Sequence, residues 1–224
     1  MPTGNNQTAS QMRETNIKNF GSELGELYTE LWQDLARLHL KNTEFLTLFE
    51  PDTERYKLLN HTSPKFFNII QDSLWNDILL GICRISDKPS TSGKANLTVR
   101  QLAVFNKQTD IASELKQLLD LVNSSTEFAR DWRNRHIAHR DLSLALDQHA
   151  KPLAEASLNH VTDALTALDK VLNLVSNQYQ CGSTAFGHDI SAGQYGARDL
   201  LFYLKEGLAA VESRKNLTQH PPPI

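Results

Sequence analysis

Apolar residues recur at steps of three and four along most of the chain. From Gly21 onward Leu24, Leu27, Leu31, Leu35 and Leu38 fall on one face, with Tyr28 and Trp32 beside them, which predicts an amphipathic helix. A break containing Pro51 follows Phe49. A second helix is predicted from Ser63 to Ser86, where Pro64 suits the first turn. Phe66, Phe67, Ile70, Leu74, Ile78 and Ile82 line one face of it, and Trp75, Leu79 and Leu80 widen that face. A helix apolar over more than half its circumference belongs at the centre of a bundle. DKPSTSGKAN, residues 87 to 96, reads as a loop, and a short helix follows over Thr98 to Phe105. Ile111, Leu115, Leu118, Leu119 and Val122 then carry a helical pattern that Asn123-Ser124-Ser125 interrupts before Phe128 and Trp132. From Leu153 to Val175 the helix resumes, with Val161, Leu165, Leu168, Leu172 and Val175 in clean steps. A last helix, Ala197 to about Arg214, presents Leu201, Leu204, Leu208 and Val211.

Polar segments set the boundaries. Residues 1 to 18 offer no apolar face and read as a flexible arm. Residues 181 to 196, CGSTAFGHDISAGQYG, hold four glycines in sixteen positions and read as an irregular loop. The tail, 215 to 224, ends in QHPPPI, which cannot be helical. No alternating pattern of useful length marks a strand, and no repeat is present. The expected fold class is all-α.

Composition narrows the function classes. An apolar share of 40% and a net charge of −3 describe a globular chain with a full core. A pI near 6.2 gives no overall attraction to nucleic acid or to a membrane surface, so any anion must be met locally. The first residues, MPTGNNQTASQMRETN, cannot serve as a secretory signal, and no run of about 18 apolar residues offers a membrane span. Cys83, in ILLGICRI, reads as a small buried hydrophobe, and with Cys181 it makes no disulfide framework. A reducing cytoplasm is the expected location.

Against this background RDWRNRHIAHRD, residues 130 to 141, stands out. Four arginines and two histidines lie within the eleven residues from Arg130 to Arg140. If the helix of Phe128 continues through residue 139, Phe128, Trp132 and His139 lie within about 20° of one another. His139 then extends an apolar stripe, where desolvation and neighbouring arginines both disfavour imidazolium. A neutral imidazole is what a general base requires. Arginine binds two phosphate oxygens through a fork that stays charged. Histidine and arginine without evident metal ligands suit RNA cleavage by the 2′-hydroxyl route, which calls for no cofactor. On an ideal helix, however, Arg133 and His139 lie about 240° apart, whereas Arg135 lies only about 40° from His139. Either the helix bends or ends within the motif, or a twofold dimer brings Arg133 of one copy to His139 of another.

An arginine, a polar residue and a histidine four to six positions after the arginine form the signature of HEPN domains. Arg133-Asn134-Arg135-His136-Ile137-Ala138-His139 resembles it, and AHRDL, Ala138 to Leu142, resembles its abortive-infection U-type (AbiU-like) branch. So does the layout upstream, where an apolar helix ends in CRISDK and a short loop leads to NLTVRQL. The likeness covers roughly residues 20 to 180. It implies an up-and-down helical bundle over 19–180, here with an extra C-terminal helix at 197–214. It also implies a homodimer through the motif face and, in many members, a metal-independent ribonuclease acting as a toxin or phage-defence effector. RNA is then the substrate, and a protein or nucleotidyltransferase antitoxin the kind of partner such systems carry. Carried onto this chain, Arg133 and His139 are the catalytic pair and Asn134 orients the site. Arg135, His136 and Arg140 go beyond the minimal motif as candidate substrate-binding residues, which leaves open which arginine meets phosphate.

Plainer readings stand beside these. His139 can be a hydrogen-bonded histidine at the core edge, Arg133 a solvated cation near a helix C-terminus, Trp132 a core anchor and Asn134 exposed surface. His136 and His139 have the spacing of a metal-ligand pair, but no third ligand stands at a telling distance, so no metal is expected. The functional alternative to a nuclease is a non-catalytic HEPN module for dimerisation or for binding a nucleotide or protein partner.

Overall fold

The protein is represented by a computed structural model that describes residues 8–106, 110–146, 150–179, 181–186 and 196–219. Among these the architecture is all-α, ten helices with one two-residue β-ribbon. The chain divides into two compact units, one from Met1–His39 and Ile78–His188, the other from Leu40–Asp77 and Asp189–Ile224. The long helices α2 (Ser22–Phe49) and α4 (Pro64–Ser86) contribute residues to both.

The larger unit holds α1 (Ala9–Phe20), α5 (Gln101–Phe105), α6 (Ala112–Ser125), α7 (Glu127–Trp132), α8 (Leu142–Ala145) and α9 (Leu158–Gln178). Helices α6 and α9 pack together, and the predicted face of α9 is buried along its length. Leu31 and Leu35 of α2, Ile78 and Ile82 of α4, and Val122 of α6 complete a core without solvent exposure. Each such side chain contributes about 1.5–3 kcal/mol on leaving water. Leu38 lies over Gly81, where an added Cβ would come within 2.8 Å of its side chain. The expected interruption after α6 occurs at buried Thr126, whose hydroxyl donates to the Val122 carbonyl at 2.6 Å.

Several expectations need correction. Residues 9–18 are not a flexible arm but most of α1, opened by a capping box between Thr8 and Gln11. Its order comes from polar contacts that an apolar pattern does not reveal. Buried Asn16 donates to the Thr29 hydroxyl at 2.9 Å, and Gly25 lets the α1 backbone approach where a Cβ would meet Asn16 O at 2.6 Å. Phe20 then packs edge-on against Tyr28 at 4.8 Å. Helix α9 starts at Leu158 rather than Leu153, because Ser157 and His160 form its capping box. The 87–96 loop contains a tight hairpin, Ser90–Thr91 against Lys94–Ala95, turned by Ser92 and Gly93 at positive φ.

The smaller unit contains α3 (Thr53–Thr62), which the apolar pattern did not mark, and α10 (Ala197–Gln219). Asp52 caps α3 by accepting the Arg55 N–H at 2.7 Å, and Glu44 accepts the Ala197 N–H at the start of α10. Phe45, Leu48, Leu59 and Phe67 are buried, and Phe45 lies against Trp75 with ring centres 5.3 Å apart. Helix α4 is buried mainly in its last third, since Phe66 and Ile69 near its start are 52% and 64% exposed; even within that third Leu80, expected to widen the apolar face, is exposed. Within the expected 19–180 bundle, residues 40–77 group with the segment that holds α10. Helix α10 occupies positions 215–219, assigned above to the tail; residues 220–224, and 187–195 of the glycine-rich loop, lie outside the described residues.

Leu172→Ala should cost about 2–5 kcal/mol in urea unfolding, as a buried leucine truncated in a core does. Phe66→Ala should cost less than about 1 kcal/mol. Equal losses at the two positions would contradict the burial of Leu172 in α9 and the exposure of Phe66 in α4.

Candidate functional site

The helix carrying the motif does not run straight. After α7 the residues Arg133–Ile137 wind as a π-helical turn, in which Ala138 N–H donates to Arg133 O, five residues back, at 2.8 Å. The Asp141 N–H then reaches the Arg135 carbonyl at 3.0 Å and ends the helical run. Asp141 caps α8, accepting from the Ser143 hydroxyl at 2.7 Å and from the Ser143 and Leu144 N–H groups at 3.0 and 3.3 Å.

A strap holds this unusual turn. Trp132 donates its indole N–H to Ala154 O at 2.8 Å, and Asp131 accepts the Ala154 N–H at 2.8 Å. Arg135 bonds Asp141 at 3.3 Å, Asp131 at 3.5 Å and the Pro152 carbonyl at 3.3 Å, and it also donates to Lys151 O. Hydrogen bonds from Ser143, then Leu144, then Arg135 hold the Asp141 carboxyl down at about 2.

The bend brings Arg133, Asn134 and His139 to one cavity of about 450 Å³, shared with Asp87, Lys88, Arg100 and Arg130. Arg133 donates through Nη1 to Asp87 Oδ2 at 2.6 Å and through Nε to Asn134 Oδ1 at 3.0 Å. The ion pair is half-buried, with 25% and 31% of the two side chains exposed. Among the described residues Asp87 is the one carboxylate lining the cavity, against four permanent cations. Cys83 is buried, and burial pushes its thiol up to about 11 despite the opposing charge of Arg133.

The other nominated residues are not brought into this cavity. Arg135, favoured above by its angle on an ideal helix, belongs to the strap. His136 is exposed and meets Trp132 edge-on at 5.4 Å, and Arg140 is exposed. His139 does not extend an apolar stripe. It is exposed, because the straight helix that would have buried it beside Phe128 and Trp132 ends before reaching it. Sequence reasoning missed Asp87, Lys88, Arg100 and Arg130 as cavity residues. CRISDK and NLTVRQL were noted, but only the packing shows that their charges converge. Among the described residues no three His, Cys, Asp or Glu side chains gather as a metal-holding set.

Against known proteins, the model of a HEPN family described as AbiU2 matches residues 21–194. No curated protein matches the chain, and no solved structure does.

The Asp141 carboxyl titrates below its ordinary value near 4, so its contribution to stability is full above about pH 4 and is lost as pH falls through about 2. An NMR titration should place the Asp141 midpoint near 2, and the stability difference between wild type and Asp141→Asn should shrink across that window. A midpoint near 4 would mean that the cap at the motif's end does not form.

Proposed function

The chain belongs to the AbiU2 family of HEPN domains, and on that footing we propose that it is a metal-independent endoribonuclease, an effector of the toxin or phage-defence kind. The observation that supports this most is the cavity itself. It joins Arg133, Asn134 and His139 in a chain of net charge −3, with four cations and one carboxylate around the space among the described residues. A local excess of this kind suits a phosphodiester.

In the proposed reaction the 2′-oxygen attacks the neighbouring phosphorus and the bond to the 5′-oxygen breaks. A 2′,3′-cyclic phosphate and a 5′-hydroxyl result. His139 accepts the proton of the 2′-hydroxyl, a task suited to the one side chain whose ordinary pKa lies near neutrality. The departing 5′-oxygen takes a proton, which His139 of a second copy supplies across a twofold axis. The exposure of His139, and of Leu142 and Leu146 at 71% and 55% just beyond it, supports that axis, because a second copy would cover this face. Arg133 stabilises charge on the phosphorane. Asp87 and Asn134 engage two of its five N–H groups and fix the plane of its fork, and the other three are left for phosphate oxygens.

Purified protein should cut mixed cellular RNA in EDTA and leave cyclic phosphate ends. His139→Ala should slow this by about 10²–10⁴-fold and Arg133→Ala by about 10²–10³-fold, with helicity and oligomeric state unchanged. Undiminished cleavage by His139→Ala would refute the assignment. RNA bound but uncut by the wild type would favour the non-catalytic binding module.

A further inference from the structure

Two cations outside the Arg133–His139 pair meet at one amide. Asn123 Oδ1 accepts from Arg100 Nη2 at 2.8 Å and from Arg130 Nη2 at 3.2 Å. Each guanidinium is also fixed from behind. Arg100 Nε donates to the Ser86 carbonyl at 3.1 Å, at the end of α4. Arg130 donates to the Thr126 hydroxyl at 2.6 Å and to the Asn123 carbonyl, at the end of α6. All these acceptors are neutral, and among the described residues neither arginine has a carboxylate within ion-pair distance. Two like charges held at a shared acceptor in half-buried ground repel each other, and their field is screened less than at an open surface. Burial first, and then the charge of Arg100, lower the pKa of Arg130. Lys88, exposed at the root of the hairpin, lines the same cavity.

A pair of arginines that served only to cap helix ends would bond the same carbonyls, but it would gain nothing from facing a cavity with a third cation. Both arginines keep unused N–H groups, and both line the cavity that holds Arg133 and His139. A volume of about 450 Å³ is in the range of small-ligand pockets, enough for more than one phosphate.

We propose that Arg100, Arg130 and Lys88 form a second phosphate subsite beside Arg133 and His139, so that the cavity grips an RNA strand by two neighbouring phosphates. The inference rests on the reading of Arg133 and His139 as the pair at the scissile phosphate. It makes the substrate class a strand with at least one phosphate beyond the one cleaved. Arg100 and Arg130 touch substrate without moving its protons, so they govern binding more than turnover.

The test is titration of the full chain with a single-stranded deoxyuridine 12-mer, which lacks the 2′-hydroxyl and cannot be cut by this route, at several salt concentrations. Arg100→Gln, Arg130→Gln and Lys88→Gln should each reduce the slope of log K against log salt by about 0.7. Each should also weaken binding by about fivefold. Arg100→Lys and Arg130→Lys should restore most of the slope, because the charge is kept. In RNA cleavage the Gln variants should raise KM with little change in kcat. Lys88→Gln touches no helix-end contact, so it carries the test even if an arginine variant is unstable. Unchanged slopes in the folded variants, or no binding of the 12-mer by the wild type, would overturn the subsite. If the slopes fall but the wild type cuts no RNA in EDTA, the subsite stands and the cleavage assignment falls. If cleavage depends on His139 while the slopes stay unchanged, the reverse holds.

Discussion

Everything in the site depends on a turn that is wound too wide. On a regular α-helix Arg133 and His139 would lie about 240° apart and could not serve one phosphate. Closing the backbone ring between Ala138 and Arg133, five residues apart, and ending the run at Asp141 allows both to line one cavity. Such turns need support from outside the helix, and here Trp132 and Asp131 pin the segment at Ala154 while Arg135 ties Asp131, Asp141 and two further carbonyls together. One of the motif's arginines is therefore consumed in building the shape that another uses. Arg133 and Arg135 are two residues apart in sequence and have unlike surroundings.

The second constraint is electrostatic. The chain is mildly acidic overall, yet among the described residues three arginines and a lysine share a cavity with a single carboxylate. Asp87 engages Arg133, while Arg100 and Arg130 are held by an amide, a hydroxyl and helix-end carbonyls. Neutral acceptors fix the position of a guanidinium without cancelling its charge. The cavity thus keeps a positive field that an incoming anion can neutralise, and the low net charge of the rest of the molecule confines that field to one place.

Much of the fold was legible because it follows apolar spacing. The steps of α9 and of the first part of α2 are buried much as the pattern requires, and the break at Asn123-Ser124-Ser125 falls where α6 ends. The failures have physical causes. Helix α1 is ordered by the Asn16–Thr29 bond and the close approach at Gly25, neither of which an apolar pattern registers. In α4 the pattern overstated burial, because Phe66 and Leu80 are apolar without being covered. Helix α3 has too few apolar positions to show a face. At the candidate site, Arg133, Asn134 and His139 were nominated from local spacing and family resemblance, and the fold brings them to one cavity. Arg135 was misjudged because the angle used for it presumed an unbroken helix. Asp87 and Arg100 reach the cavity from separate segments, and nothing local in the sequence marks their convergence.

Under the proposed function Arg133 and His139 address the same phosphate. The most direct measurement is a crystal structure of the full chain with a deoxy-oligonucleotide bound. A phosphate bonded to Arg133, with the sugar carbon that would carry the 2′-hydroxyl turned toward His139, is the expected result. An oligonucleotide bound elsewhere, with the Arg133–Asp87 pair intact and the cavity free of phosphate, would contradict it.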